Sequence, residues 1–371
     1  MNIIIFGSGS SAEKIRRVIN KHKVKIIAYA DNNKDKVGSR IKDIPVISPS
    51  ELKSKEYDYI LIGSIYFEEI REQLLKIGIP EEKILEYYKY HNFISLQTKL
   101  EKYSEDFSEY NCLITGMSYA KYGLDLKELN RKAFNFALNS QDLFHDYSIV
   151  KYLSNRNQLA SIKTIIVGLA NYSLEFELIK SREKHLVTRY HPIEEKLKDD
   201  KDYYKTYKDL RTVFADDKFM NKVPHLQTLL DTILIDNYIE HIDSFEDQYK
   251  KDNNIAQLER KRLALRHSNK NYPKTVEKNA QILEQYLNLL KEEEIKPIIV
   301  ILPQHKDYTT YFSKTIRENI TDYLKQLNKD HSFDLIDLFD SDVVSDRDFF
   351  DVHHLNQSGA YKVTQLINKL I

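Results

Sequence analysis

Short, wholly apolar runs alternate along this chain with segments whose apolar residues recur every three or four positions. The runs read as buried strands and the wider spacing as helices. In the first ninety or so residues the order is strand "NIIIF", helix "SAEKIRRVINKH", strand "VKIIAYAD", short strand "IPVIS", strand "YDYILIGS" and helix "FEEIREQLLKIGI". Gly78 stands near the end of that last helix, where a left-handed residue closes a helix well. Strands that alternate with helices predict a parallel sheet covered on both faces. From Glu86 to about Tyr110 the chain is polar and rich in tyrosine, and reads as a helical connection. The alternation restarts with "YNCLITGMSYAKYG" and continues through "KTIIVGLANYS", "KPIIVILPQ" and "SFDLIDLF". Between Leu174 and about Leu290 lies a stretch rich in Lys, Glu, Asp, Leu and Tyr, which predicts several helices inserted between two strands of the second sheet. The expected fold class is α/β in two domains. A small parallel-sheet domain covers residues 1–88, a linker 89–110 and a second α/β domain 111–371, with the helical insertion at about 175–290.

Composition narrows the function classes. With 371 residues, 42% hydrophobic and 30% charged, the chain has ample material for two cores. Lys+Arg and Asp+Glu both number 56, so neither the basic footprint of a nucleic-acid binder nor a polybasic membrane patch is expected. Clusters such as "KLKDDKDYYKTYKD" alternate in sign, as solvated helix faces do. Cys112 is the only cysteine, which excludes an internal disulfide and a cysteine metal cage. The opening apolar run is too short for a signal peptide, and no stretch is long enough to span a bilayer. A cytoplasmic location is the resulting expectation.

"IIIFGSGSSA" sets Gly7 and Gly9 directly after a strand and Ala12 where a helix begins, the G-x-G-x-x-G/A arrangement. There Gly7 would make the tight turn, Gly9 would let a phosphate approach the backbone, and Ala12 would allow close helix packing. Asp31, about twenty residues on, ends the second strand where an acid can bind a ribose hydroxyl. The competing reading is a strand–helix turn that uses glycine with no ligand. A ninety-residue unit is closer to one mononucleotide half than to a dinucleotide fold, so hydride transfer is not expected.

In the second half, "CLITGMSYAKYG" ends a strand at Thr115, turns at Gly116 and presents Ser118 at the C-terminal sheet edge, where open α/β sheets bind ligands. Its oxygen can act as a nucleophile and its own N–H can face an oxyanion. In "FNFALNSQDLFHDY", Asn139, Ser140 and Gln141 are candidate oxyanion donors, although Ser140 or Asn139 capping a helix that begins near Asp142 is the favoured reading. Asn171, in the loop after "KTIIVGL", is a further oxyanion donor or an ordinary turn residue. Serine needs a base, and "FFDVHHLNQSGAYK" offers His354 with Asp351 three residues before it to fix its tautomer. His353 is then expected to point elsewhere. Two rivals stand beside this: Asp351 as a turn residue with Asn356 capping the last helix, and Asp348, Asp351, His353 and His354 as metal ligands. Adjacent histidines seldom converge on one ion, and no metal is expected.

Two resemblances bear on these residues. "IIIFGSGSSAEKI", "IIAYADNN", "IPVISPSEL" and "YDYILIGS" resemble the small Rossmann-like domain at the front of bacterial sugar acetyltransferases. The order Ser118, loop donor, Asn171, Asp351-x-x-His354 resembles the SGNH/GDSL hydrolase superfamily, nearest its divergent members among surface-polysaccharide genes. That resemblance implies a three-layer α/β/α domain. It departs from the family at Met117, where an aspartate is usual, and in "ALNSQDL", which lacks the donor glycine. Together the two imply a serine-dependent O-acyltransferase or esterase acting on a surface-polysaccharide sugar or its precursor. No cofactor is required, acetyl-CoA is the donor expected for a transfer, and a nucleotide or nucleotide sugar is expected in the front domain. The partners implied are a small-molecule or carbohydrate substrate, with a homo-oligomer left open. The alternative is a non-catalytic sugar-nucleotide-binding or scaffold protein.

Overall fold

A computed structural model describes residues 1–64, 66–235 and 253–371. The part of the insertion from 236 to 252 therefore lies outside the described residues. The chain groups into two compact units, Met1–Ser95 with Ala215–Ser244, and Leu96–Phe214 with Phe245–Ile371. The boundary read at residue 88 falls inside a helix, Tyr87–Glu105, which also fills most of the expected linker.

The first unit holds β1 (Asn2–Phe6), β2 (Lys25–Ala30), β3 (Arg40–Ile41), β4 (Ile44–Ile47), β5 (Tyr59–Ile62) and β6 (Ile84–Leu85). They form one sheet in the order β3-β4-β2-β1-β5-β6, parallel except for the β3–β4 hairpin. Because side chains alternate along a strand, β1 sends Ile3 and Ile5 into one core and Ile4 and Phe6 into another. The first of these cores also receives Phe219, Leu226, Leu230 and Ile233 from the helix Asp217–Ile233, which lies far along the chain. Glu81 anchors that helix through Lys218 at 2.8 Å and Lys222 at 2.6 Å.

The second unit is built on β7 (Cys112–Gly116), β8 (Ala133–Asn135), β9 (Thr164–Leu169), β10 (Lys296–Ile301) and β11 (Asp334–Asp337). All pairings in the order β11-β10-β9-β7-β8 are parallel. Every residue of β7 and β9 is buried, the mark of strands covered on both faces. The described part of the insertion between β9 and β10 consists of α- and 3-10 helices joined by short turns. Among the described residues no helix is long and apolar enough to cross a membrane.

Candidate active site

β7 ends at Gly116, with φ at +129°, and a Cβ there would run into the Gly168 carbonyl. Only glycine meets both demands. Met117 then caps a short helix, Ser118–Tyr122, so Ser118 takes its first position, half-buried, at the C-terminal edge of the sheet. The turn is held from behind by Asp146 on the helix Leu143–Ser154. Its Oδ1 accepts from Gly116 N at 2.7 Å and from Gln141 Nε2 at 2.7 Å. Burial raises this carboxyl to about 8 against those two bonds.

The closing motif is fixed in two places. Asp348, almost fully buried, accepts from Ser345 N at 2.7 Å, Ser358 Oγ at 2.8 Å and Lys362 Nζ at 2.6 Å. Those bonds tie the loop to the helix Gln357–Ile367 and occupy the carboxylate, which removes Asp348 from the metal-ligand set. Asn356 caps that helix by accepting from Gly359 N at 3.1 Å. Asp351 does the work of both readings made from sequence. Its Oδ1 accepts from the backbone N–H groups of His353 at 2.9 Å and His354 at 2.7 Å, while Oδ2 lies 2.8 Å from His354 Nδ1. Against the cost of burial, the His354 charge and hydrogen bond hold Asp351 well below the usual carboxylate range.

His354 is packed among Tyr122 at 5.0 Å, Phe350 at 5.6 Å and Tyr119 at 5.7 Å, centroid to centroid. Its other nitrogen, Nε2, is buried and has no hydrogen-bond partner among the described residues, the Ser118 hydroxyl included. The serine helix and the histidine thus meet through Tyr119 and Tyr122, without a serine–histidine hydrogen bond. The expectation for His353 is corrected: its ring lies 3.8 Å from that of His354 and 5.7 Å from Tyr119. One carboxylate oxygen gathers both backbone amides, so the two rings are brought side by side. Burial and the neighbouring imidazole push His353 down to about 3. Asp351, His353 and His354 present ligand atoms within 4.8 Å of one another. An ion there would compete with the proton on His354 Nδ1 and with the two amides on Asp351.

Asn171 follows β9, the strand paired with β7 in the register Gly116↔Gly168. It is buried, and among the described residues its Oδ1 has no hydrogen-bond partner. The next residue, Tyr172, is buried and, like Tyr308, couples electrostatically to the buried Tyr119 hydroxyl. Asn139 and Ser140 are used differently. The Ser140 hydroxyl donates to Glu183, and Asn139 is exposed with its carbonyl accepting from Arg189. Neither caps the following helix; Asp142 does, accepting from His145 N at 3.1 Å. Ser140 has φ at +56°, a conformation better suited to glycine. Sequence reasoning missed Tyr119 and Tyr122, although their three-residue spacing in "SYAKY" puts both on one helix face.

In the first unit, Gly7 has φ at +105° and lies against the Gly63 carbonyl. Gly9 precedes the helix Ser10–Val18, and a Cβ on it would meet nothing within 4 Å. Ala12 packs on Gly63. Asp31 accepts from Ser8 N at 3.0 Å, from the Ser8 hydroxyl and from Asn33 N at 2.9 Å. A cleft of about 460 Å³ opens over Gly7, Ser8, Gly9, Asp31, Gly63 and Tyr66. It lies at the strand ends where the order reverses around β1, the position at which such sheets take ligands.

A family model described as "C2185-like, N-terminal" matches residues 1–85, and a second model without a description matches residues 236–371. No curated protein matches the chain. Among solved structures it is similar to a "putative acylhydrolase" from Bacteroides fragilis, at 11% identity and a TM-score of 0.35, over 73% of this chain and 94% of that one. A likeness that slight carries no weight for the activity.

Proposed function

We propose that the second unit carries out serine-dependent acyl transfer or ester hydrolysis, on O-acetyl groups of a surface-polysaccharide sugar or its precursor. The observation that supports this most is the Asp351–His354 pair, 2.8 Å apart, whose free Nε2 is packed beside the helix that Ser118 opens. In this reading Ser118 Oγ attacks the acyl carbonyl while His354 Nε2 takes its proton. Asp351 holds the ring and offsets the imidazolium charge. The Ser118 N–H and the Asn171 amide face the oxyanion. His354 then returns the proton to the departing oxygen or sulfur, and water or a sugar hydroxyl, deprotonated by the same nitrogen, releases the acyl group. The reading requires Ser118 Oγ and His354 Nε2 to come within hydrogen-bond reach when substrate binds, as catalytic hydrogen bonds absent from resting enzymes often do. Acetyl-CoA is the donor in the transfer version, and the cleft over Gly9 is the place for a nucleotide or nucleotide sugar. The carbohydrate context rests on the resemblance of the first unit to the front domains of sugar acetyltransferases.

A fluorophosphonate probe tests the reading. It should label the wild type and fail to label Ser118→Ala. Equal labelling, or none in either protein, overturns it. The unpartnered His354 Nε2 keeps one second reading in view, a non-catalytic sugar-nucleotide-binding protein that works through the front cleft.

A further inference from the structure

The wall beside the reacting groups is cationic. It comes from the helix Asn253–Ser268 and the "NKNYPK" segment after it. Arg260, 6% exposed, donates from Nε to the Val352 carbonyl at 3.2 Å and reaches Asp307 at 3.3 Å, which fixes this helix against the Asp351–His354 turn. One side of His267 packs on Tyr172, 4.3 Å between centroids, and its Nδ1 meets the Tyr308 hydroxyl at 2.9 Å. Lys270 Nζ stands 5.3 Å from the centre of the Tyr172 ring, the residue after Asn171.

Neither Arg266 nor Lys270 has a hydrogen-bond or ion-pair partner among the described residues. The acid that acts on Lys270 is Glu175, and burial raises that carboxyl to about 7, so near neutrality it offsets only part of the lysine charge. Burial holds His267 and His353 below the ordinary imidazole range, and the charge of Arg266, exposed on this helix, acts on both in the same direction. Cations with no protein counter-charge leave this wall able to hold an anion through charge-assisted hydrogen bonds.

We propose that this site takes an anionic acyl substrate, an ester or thioester carrying a carboxylate or phosphate that Arg266 and Lys270 receive. The inference rests on the acyl-transfer reading above. A guanidinium can grip either group with two parallel hydrogen bonds, while the lysine supplies a point charge. The carboxylate would come from an acetylated sugar acid and the phosphate from the acyl donor.

Two matched substrate pairs distinguish the sources, each measured with the full-length wild type and with Arg266→Ala. One pair is 4-acetoxybenzoate against 4-nitrophenyl acetate, and the other is acetyl-CoA against its neutral truncated form, S-acetyl-N-acetylcysteamine. The expected result is a fall of about tenfold in the charged-to-neutral ratio of kcat/KM on Arg266→Ala, in the carboxylate pair for a sugar acid or in the thioester pair for a phosphate donor. The wild-type ratio should also shrink as salt rises. Binding of the unreactive amide 4-acetamidobenzoate, and of CoA, gives the same comparison without turnover. Ratios and affinities that Arg266→Ala leaves unchanged in both pairs overturn the inference. Turnover that still disappears in Ser118→Ala would show that the acyl-transfer reading survives that failure. Turnover retained in Ser118→Ala sinks the reading itself, whatever the amide binding shows.

Discussion

Gly116 and Gly168 face one another in register across β7 and β9, and neither position has room for a side chain. A Cβ on Gly116 would strike the Gly168 carbonyl, and a Cβ on Gly168 would strike Ala120, in the helix that begins at Ser118. The nucleophile candidate is therefore seated by a backbone-to-backbone approach. Gly168→Ala is expected to cost about 1–3 kcal/mol, the usual penalty of overpacking. A lower urea midpoint at unchanged slope would show it. A midpoint equal to wild type would mean that the helix simply moves aside.

The Asp351–His354 pair predicts an asymmetry between adjacent histidines. His354→Ala and Asp351→Asn should each lower single-turnover acylation by about 10³–10⁴-fold, since one removes the base and the other its tautomer lock. His353→Ala should keep measurable turnover, because among the described residues His353 Nδ1 has no hydrogen-bond partner and its ring packs on those of His354 and Tyr119. Equal losses from both histidine variants would reassign the base.

Stability should respond to acid through His353. Its proton is bound at about 6.5 in the unfolded chain, whereas in the folded protein burial lowers the ring to about 3. The unfolded state therefore binds more protons between those values. The contribution is complete above the upper one and is lost as pH falls through the lower. His353→Gln should flatten the decline in Tm over that window. An unchanged slope would place the acid sensitivity elsewhere, with His191, lowered to about 4, the next to examine.

Asp146 should act with the opposite sign. Its folded value of about 8 lies above the ordinary 3.8, so here the folded state holds the extra proton. Stability present at low pH is then lost as pH rises through the folded value. Asp146→Asn keeps an oxygen for Gly116 N and cannot ionise, so its Tm relative to wild type should improve as pH rises from about 4 to about 8. A difference that stays flat with pH would show that the carboxyl is ionised throughout.

In the front unit the two loop glycines should separate fold from ligand. Gly9→Val meets open space and should leave Tm nearly unchanged, while abolishing any thermal shift produced by a nucleotide sugar. Gly7→Val forces a β-branched residue to φ near +105° against the Gly63 carbonyl and should destabilise the protein outright. A ligand shift that survives in Gly9→Val removes the loop from the binding site.

What could be read from sequence was what is local. The long apolar strands announced themselves, whereas β3 and β6, two residues each, are shorter than any periodicity. Asp351 and His354 were legible because a turn brings residues three apart together. The cap at Asp142 was misassigned because Ser140 suits the role equally well by type, and only the position of the first helical turn decides between them. Contacts between distant segments left no trace: the Asp146 bond to Gly116 spans thirty residues, and Tyr119 and Tyr172 belong to different strand ends. The helix Asp217–Ile233 falls within the stretch read as helical, but nothing in that stretch named the sheet it would cover.

That last helix has a bearing on biosynthesis. Phe93 meets Phe219 edge-on at 5.4 Å, and Asn20 N donates to the Ile233 carbonyl at 2.9 Å, so the amino-terminal sheet is finished by chain made more than a hundred residues later. A nascent chain paused after its first ninety-five residues would leave an oily face bare, a recruiting point for chaperones and a hazard for clumping. An excised amino-terminal fragment carries the same defect, and should become soluble and cooperative only when a peptide corresponding to Ala215–Ile235 is supplied in trans.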